Sequence, residues 1–558
     1  MQISRILAAL VVAVALAGPA PGTAAAAPAL ALVFHIKPPA STDPSLAAAD
    51  VALRAPEELG EPLRAMRGHP GARLSFAVVP AYLSALDRAA SGDFALSTAA
   101  AGGASATGPQ SASLLAIMAR HRPLDASLSR SRSGARYLTL ATAAANELNG
   151  DRSVPFTSAD LADFAGADSQ VVLAASGIAP MTNAAQTSAV SVAALARADK
   201  AIEDELKADV RAGLVELVAA PDGEPVLPLL VDSGGKSTAD PYIVSVGARA
   251  DAQFLTTDAV RAVATFAQAR ANVGVYSPFG AYDDATGVVI HASGAAYAMF
   301  SDRVVRGAGS EGSEGGIDSA RAAALHAYAL TVAKGVTMPI LFWNQAESDG
   351  LQTTSGSDTA MAQRLSILAH AAAERARSAS MPSSVFVVRI DAQGPWSQRP
   401  DARAVIARVV AEIASGRDGM ATTPGSYVHA HPPAAAAYGY PPAAESGSFA
   451  FWMGSPNQAS LWNALAQARK AAGGDAAITR PQVRALLVAA EAGDWYSVLQ
   501  VPLPGGAMAG RIEAFRSLIA GVYRAAGATP PADIAPLKLA VPSPTPSPSA
   551  VPSATPGQ

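Results

Sequence analysis

Ala271-Asn272-Val273-Gly274-Val275-Tyr276-Ser277-Pro278-Phe279-Gly280-Ala281-Tyr282-Asp283-Asp284 is the stretch whose reading decides the fold. An apolar run ends there in a Ser-Pro turn, and a helix-like segment from Asp283 to Gly294 follows it. In a barrel of alternating strands and helices, such a strand end is where reactive groups stand. What occupies it decides whether the chain is an enzyme.

The same grammar recurs on both sides. Ala29 to His35 is a continuous apolar run leaving through Pro38-Pro39, and Arg73 to Pro80 leads into a helical pattern from Ala81 to Ala89. Runs of this kind read as strands buried on both faces. A charged amphipathic helix, Ala193 to Ala212, delivers the chain to the strand Gly213 to Val218, and Pro221 to Leu230 reads as the loop after it. Helices are expected at Ala259 to Ala271, Ile317 to Ala333 and Thr359 to Ala379, and buried strands at Met338 to Asn344 and Ser384 to Asp391. Strand–helix units with polar strand ends predict an α/β fold with a parallel sheet, closed as a barrel.

After about Gly419 the character changes. His429 to Ser448 reads as a Pro-, Ala- and Tyr-rich loop, and Trp462 to Ala471, Arg480 to Ala492 and Arg511 to Ala525 read as helices with no strand between them. The expected organisation is therefore a signal peptide over 1–27, a barrel over 29–418, a helical C-terminal domain over 419–540 and a Pro/Ser/Thr tail over 541–558 that cannot form a core. The leader has Arg5, an apolar core from Ile6 to Ala17 and a small-residue site at Thr23 to Ala27. Its core is shorter than the roughly 20 residues of a spanning helix, so secretion or a periplasmic location is expected, without stable membrane insertion after cleavage.

Composition narrows the chemistry. A net charge of −4 with no long basic run argues against nucleic acid or an anionic membrane as partner. The absence of cysteine removes disulfides, thiolate metal sites and a cysteine nucleophile. The eight histidines are scattered, and His429-Ala430-His431 lacks an acidic neighbour, so neither a metal nor another cofactor is expected. The residues name no protein partner.

Four stretches then carry a resemblance. Gly447-Ser448, Trp452-Met453-Gly454, Trp462-Asn463-Ala464-Leu465-Ala466-Gln467-Ala468-Arg469 and Ala490-Glu491-Ala492-Gly493-Asp494-Trp495-Tyr496 resemble, in order, motifs of glycoside hydrolase family 57. Upstream, His35-Ile36-Lys37-Pro38 is similar to that family's first motif with Lys37 for Gln. Gly213 to Leu217 keeps the Glu of the second motif as Glu216. Pro221-Asp222-Gly223-Glu224-Pro225 has Glu224 where the family has His. The resemblance spans nearly the whole mature chain. It implies an incomplete (β/α)7 barrel followed by an all-α helical bundle domain, and retaining α-glucan hydrolases and transferases as relatives.

Retaining chemistry uses two carboxyl groups about 5–5.5 Å apart. The resemblance aligns the family's nucleophilic Glu with Phe279, its acid/base Asp with Asn344, and a fifth-motif Glu with Gln393. A phenyl ring forms no glycosyl ester and an amide delivers no proton, so the expected site is degenerate. Glu347, Asp283 and Asp284 are the candidate substitutes, although Asp283 and Asp284 equally suit the start of a helix. Candidate sugar contacts are His35, Glu216, Asp349, Asp391, Gln393 and Trp396, and the expected ligand is an α-glucan or another oligosaccharide. Two alternatives stand beside this reading: an active retaining α-glucan hydrolase or transferase with relocated carboxylates, and a structural envelope protein that keeps the fold without binding sugar, which the thin aromatic content and the tail suit.

Overall fold

The computed structural model describes residues 28–535 apart from 102–108, 122–134, 137–138, 141–156, 180–187, 232–245, 269–271, 307–323, 334–335, 380, 382, 434–435, 438–441, 445, 498 and 500–506. The leader and the tail lie outside the described residues. Ten strands are present among those described: β1 (Ala29–His35), β2 (Leu74–Val78), β3 (Val215–Ala219), β4 (Gly274–Tyr276), β5 (Tyr297–Ser301), β6 (Tyr328–Ala333), β7 (Val336–Trp343), β8 (Val385–Asp391), β9 (Ala421–Thr422) and β10 (Ala436–Ala437). Seven of them, β1-β2-β3-β4-β5-β7-β8, pair side by side in parallel, and β8 pairs back with β1 to close the ring. The expected seven-unit barrel is thus present.

The strands are the apolar runs of the sequence, and their burial explains them. β2, β4 and β5 are buried at every position, as are six of the seven residues of β1. This is the pattern of a parallel sheet covered by helices outside and side chains inside. Helices begin where the chain offers a capping oxygen followed by proline. Asp43 accepts from the amides of Ser45 and Leu46, both at 2.9 Å, ahead of helix Pro44–Ala55, and Ser455 caps Pro456–Ala471 in the same way.

Three local expectations are corrected. The helix expected over Ile317 to Ala333 is, in its described C-terminal part, the strand β6, which runs antiparallel to β7 through pairs such as Leu330 with Met338. Alanine-rich propensity gave way to the free edge of β7, whose N-terminal half has no other strand partner among the described residues. The residues past 419 also return to the barrel. β9 pairs with the N-terminal half of β1 and β10 with β6, while Pro424–Ala430, partly within the expected loop, is a helix. The loop expected over Pro221 to Leu230 ends in a helical turn, Leu227–Val231.

Beside the barrel, helices Pro456–Ala471, Pro481–Glu491 and Ala507–Ala525 pack around Trp462, whose ring lies 3.6 Å from that of Tyr496 at 7°. Trp462 donates to the carbonyl of Trp452 at 3.0 Å and Tyr496 to that of Ala490 at 2.9 Å. The aromatic residues of the helical motifs therefore build the core of this unit, and its hydrophobic interior is continuous with that of the barrel. Among the described residues no helix is long and apolar enough to cross a membrane, and no cluster of three His, Asp or Glu side chains forms a metal site.

Candidate active site

Four strands end in side chains that meet over the barrel. Successive residues of a strand alternate between its faces, and the last residues of β1, β4 and β7 turn their rings inward. His35 lies 5.0 Å from Tyr276 at 23°, and Tyr276 lies 4.8 Å from Trp343 at 16°. Three stacked rings thus form a floor across the mouth. Arg389, two residues before the end of β8, is rooted one layer lower and carries its guanidinium up beside the rings. Its guanidinium sits 5.7 Å from the Trp343 ring, donates to the Tyr276 hydroxyl at 3.1 Å, and stands 3.6 Å from Asp391 and 4.0 Å from Asp349.

His35 is gripped from both sides. Its Nδ1 donates to Asp391 at 2.9 Å and its Nε2 to Glu224. Burial alone would push the imidazole pKa down. The charge of Glu224, then the hydrogen bonds to both carboxylates, outweigh it and raise it to about 9. The ring is therefore an imidazolium at neutral pH. Burial likewise pushes Asp391 up, but the His35 hydrogen bond and the Arg389 charge win and hold it well below the usual carboxylate range. Glu224 reaches His35 from a backbone in the left-handed region (φ 46°), directly after Gly223 (φ 74°), and its carbonyl accepts from the amide of Gly493 at 3.2 Å. A non-glycine residue held there is strained by roughly 1 kcal/mol or more. Asp494, next to Gly493, has its pKa raised by burial and by the Glu224 charge, so the helical unit adds a further carboxyl to this cluster.

The other predicted residues fall into three places. At the mouth are Phe279, Asp349 and Gln393. Phe279, half-buried at φ 56°, puts its ring 5.1 Å from that of Trp452, and Gln393 lies partly buried in the turn after β8. Asp349 accepts from the Gln345 amide at 2.9 and 3.0 Å, and Gln345 in turn accepts from Trp343 Nε1 at 2.6 Å. Walled in are Asn344 and Trp396. Asn344 is 0% exposed, with its amide nitrogen 3.5 Å from the Val387 carbonyl; Trp396 is buried and donates to the Asp391 carbonyl at 2.9 Å, pinning the turn.

Away from the mouth are the three candidate substitutes and Glu216. Asp283 is the buried N-cap of helix Asp284–Ala292, accepting from Thr286 at 2.7 Å, and Asp284 is exposed and takes the Tyr282 hydroxyl at 2.7 Å. Glu347 turns outward, 3.9 Å from Arg375 of helix Ala360–Ser378. Glu216 is the second residue of β3, paired with Ser75, and so lies one layer beneath the floor. There it accepts from the Tyr297 hydroxyl at 2.7 Å and from the Gly425 amide at 2.8 Å, and burial raises its pKa. The ring floor separates it from the mouth.

Sequence reasoning missed Arg389, Tyr276, Gln345 and, as a site residue, Glu224. The signal for Arg389 was visible: a lone arginine in the apolar run of β8, in phase with Asp391. The signal for Glu224 was its match to a histidine position, which only the fold turns towards His35.

Above the floor is a pocket of about 240 Å³ lined by Gln345, Asp349, Arg389, Ser446, Phe451 and Trp452. It offers amide, carboxylate and guanidinium groups beside two aromatic rings, one of them, Phe451, 37% exposed. Such walls suit hydroxyl-rich ligands with an apolar face. Glu224 and Asp391 flank one imidazole, so the space between them is filled by His35 and holds no glycosidic bond.

No family model and no curated protein sequence matches the chain. It is similar in structure to a GH57 branching enzyme from Thermococcus kodakaraensis, solved in complex with glucose, at 13% identity over 89% of this chain and 90% of that one with a TM-score of 0.52. The α-amylase AmyC from Thermotoga maritima superposes with a TM-score of 0.52 at 10% identity, covering 89% of this chain and 93% of its own. A GH57-type branching enzyme from Pyrococcus horikoshii gives 0.50 at 12% identity, over 89% and 88%. At these identities the likeness is one of fold: the chain has the barrel-plus-helices architecture of glycoside hydrolase family 57.

Proposed function

We propose that the chain is an exported carbohydrate-binding protein, secreted or periplasmic, that holds an α-glucan or another oligosaccharide at the barrel mouth and does not cleave it. The observation that carries this reading is the pairing of Phe279 with Trp452 at the position the family motif gives to the nucleophile. An aromatic ring set against another ring offers a sugar face an apolar surface and offers an anomeric carbon no nucleophile. Asn344, sealed against β8, supplies no proton. The substitutes weighed from the sequence give little support to a relocated mechanism, since Asp283 caps a helix and Glu347 faces Arg375.

Support for a sugar ligand comes from the fold shared with α-glucan enzymes, one of them solved with glucose, and from the aromatic and hydrogen-bonding walls of the mouth pocket. The test has two arms. Purified mature protein incubated with maltooligosaccharides or pullulan should release no reducing ends, while titration calorimetry with the same sugars should give saturable heat. Product formation overturns the non-cleaving reading. Absence of any heat overturns the sugar and leaves a structural protein.

A further inference from the structure

A larger cavity, of about 290 Å³, lies in the helical unit and shares no residue with the mouth pocket. Helix Pro456–Ala471 turns one face, with Leu461, Trp462 and Leu465, into the core. The opposite side presents Ser460, Asn463 and Gln467, spaced by three and four residues and so aligned in one row. Helix Ala507–Ala525 forms the second wall with Ile519 and Tyr523, one turn apart. The third wall is a strap that includes Pro531, Asp533, Ile534 and Ala535.

The strap is fixed in place. Arg516 donates from Nε to the Ile534 carbonyl at 3.0 Å and from Nη2 to the Ala535 carbonyl at 3.2 Å. Ala535 is buried and held in the left-handed region at φ 53°. The strap therefore stands off the row of polar side chains across a gap that the fold maintains.

The lining selects the ligand. Asn463 and Gln467 are exposed to the cavity and make no hydrogen bond to any described residue, so four amide hydrogens and two carbonyl oxygens stay available. Asp533 is the one formal charge in the lining and no cation accompanies it, which disfavours phosphates, sulfates and uronic acids. Ile519 is fully buried and offers no surface of its own, so Tyr523, largely buried, is the ring that faces the cavity on this wall. A pyranose has this division, with hydroxyls at its rim and C–H groups on its face. The volume is at the lower end of ligand pockets, roughly 300–1,000 Å³, which fits one or two rings.

We propose that this cavity is a second carbohydrate site, taking a neutral mono- or disaccharide unit independently of the barrel mouth. Paired amides and one carboxylate hold the hydroxyls, and the Tyr523 ring covers the apolar face.

The test is calorimetry with maltose on the full chain, on Asn463→Ala/Gln467→Ala, and on Phe451→Ala, which trims the mouth pocket only. Melting by circular dichroism checks that each variant is folded. Binding retained by Phe451→Ala and weakened at least tenfold when Asn463→Ala/Gln467→Ala is added supports the site. It is overturned if the amide variant titrates like the parent chain, if Phe451→Ala abolishes all saturable binding, or if glucuronate binds the Phe451→Ala protein as well as maltose does.

Discussion

The ring centroid of Phe279 lies 5.1 Å from that of Trp452, at an interplanar angle of 54°, so the end of β4 is locked to the helical unit by aromatic contact. The lock is tight, because a Cβ on Gly493 would come within 2.3 Å of the Phe279 ring. Installing the family's carboxyl groups by Phe279→Glu with Asn344→Asp should therefore not restore activity. The glutamate would replace a packed ring, and the aspartate would bury a charge against the Val387 carbonyl. The expected result is no release of reducing ends and a protein less stable by several kcal/mol, read by chemical denaturation. Phe279→Ala alone should cost about 2 kcal/mol, less than a fully buried phenyl, because part of the ring stays exposed. Measurable turnover by the double variant would show that only the nucleophile and the acid had been lost.

The His35 clamp makes a pH prediction whose sign is fixed. Its folded pKa, about 9, is above the unfolded value of 6.5. The stabilisation is complete below pH 6.5 and is lost as pH rises through 9, up to about 3 kcal/mol for a shift of this size. Urea midpoints should fall over that window, and His35→Gln should flatten the fall while lowering stability at pH 6, where Glu224 and Asp391 lose their shared cation. A parent chain whose midpoint is level from pH 6.5 to 9 would show that the imidazole is not charged.

Much of the architecture was legible because burial leaves a simple trace. The apolar runs of β1, β2, β7 and β8 needed both faces covered, and their polar ends marked the barrel mouth. β6 was illegible for the opposite reason, since Tyr328 to Ala333 becomes a strand only by folding back on β7, Tyr328 pairing with Ile340 and Ala333 with Val336. The site divided in the same way. His35 and Asp391 could be placed because strand ends place them. Glu216, equally well matched by motif, sits below the floor because register on β3, and not motif, sets its depth. Glu347 and Asp283 looked like displaced carboxylates, but the first turn of a helix decides their direction.

Glu216 should behave as a structural residue of the barrel interior. Its Oε2 accepts from the Gly425 amide, and a Cβ at Gly425 would lie 2.3 Å from Oε1. Gly425→Ala should accordingly destabilise the fold by about 2 kcal/mol or more, through displacement of helix Pro424–Ala430. Glu216→Gln should cost about 1–2 kcal/mol, because an amide turned to satisfy Tyr297 sets N–H against N–H at Gly425. Neither change should alter the sugar affinity of the folded protein, and a loss of affinity with unchanged melting would move Glu216 back into the ligand site.

The helical unit is pinned to the barrel by Arg469, which forks onto Asp251 of helix Arg249–Phe266 at 2.6 and 2.8 Å and donates to the Gly247 carbonyl at 3.0 Å. Glu491 stands 3.8 Å from the same guanidinium and is fully buried, as is Asp251. Two acids thus share one buried base, with the exposed Asp475 at 3.6 Å. Burial, then the neighbouring Asp251 charge, push Glu491 well above the ordinary glutamate range, against the pull of Arg469. Because its folded pKa is raised, the fold is most stable with Glu491 protonated. That advantage declines as pH climbs from the unfolded value of about 4.5 towards the folded one. Glu491→Gln keeps the neutral shape and removes the titration, so its melting temperature should gain on the parent chain steadily from pH 5 upward. Arg469→Met should lose about 3–5 kcal/mol at neutral pH, since it strands Asp251 in the interior. Parallel melting curves for Glu491→Gln and the parent across pH 5 to 9 would mean that Arg469 holds Glu491 charged.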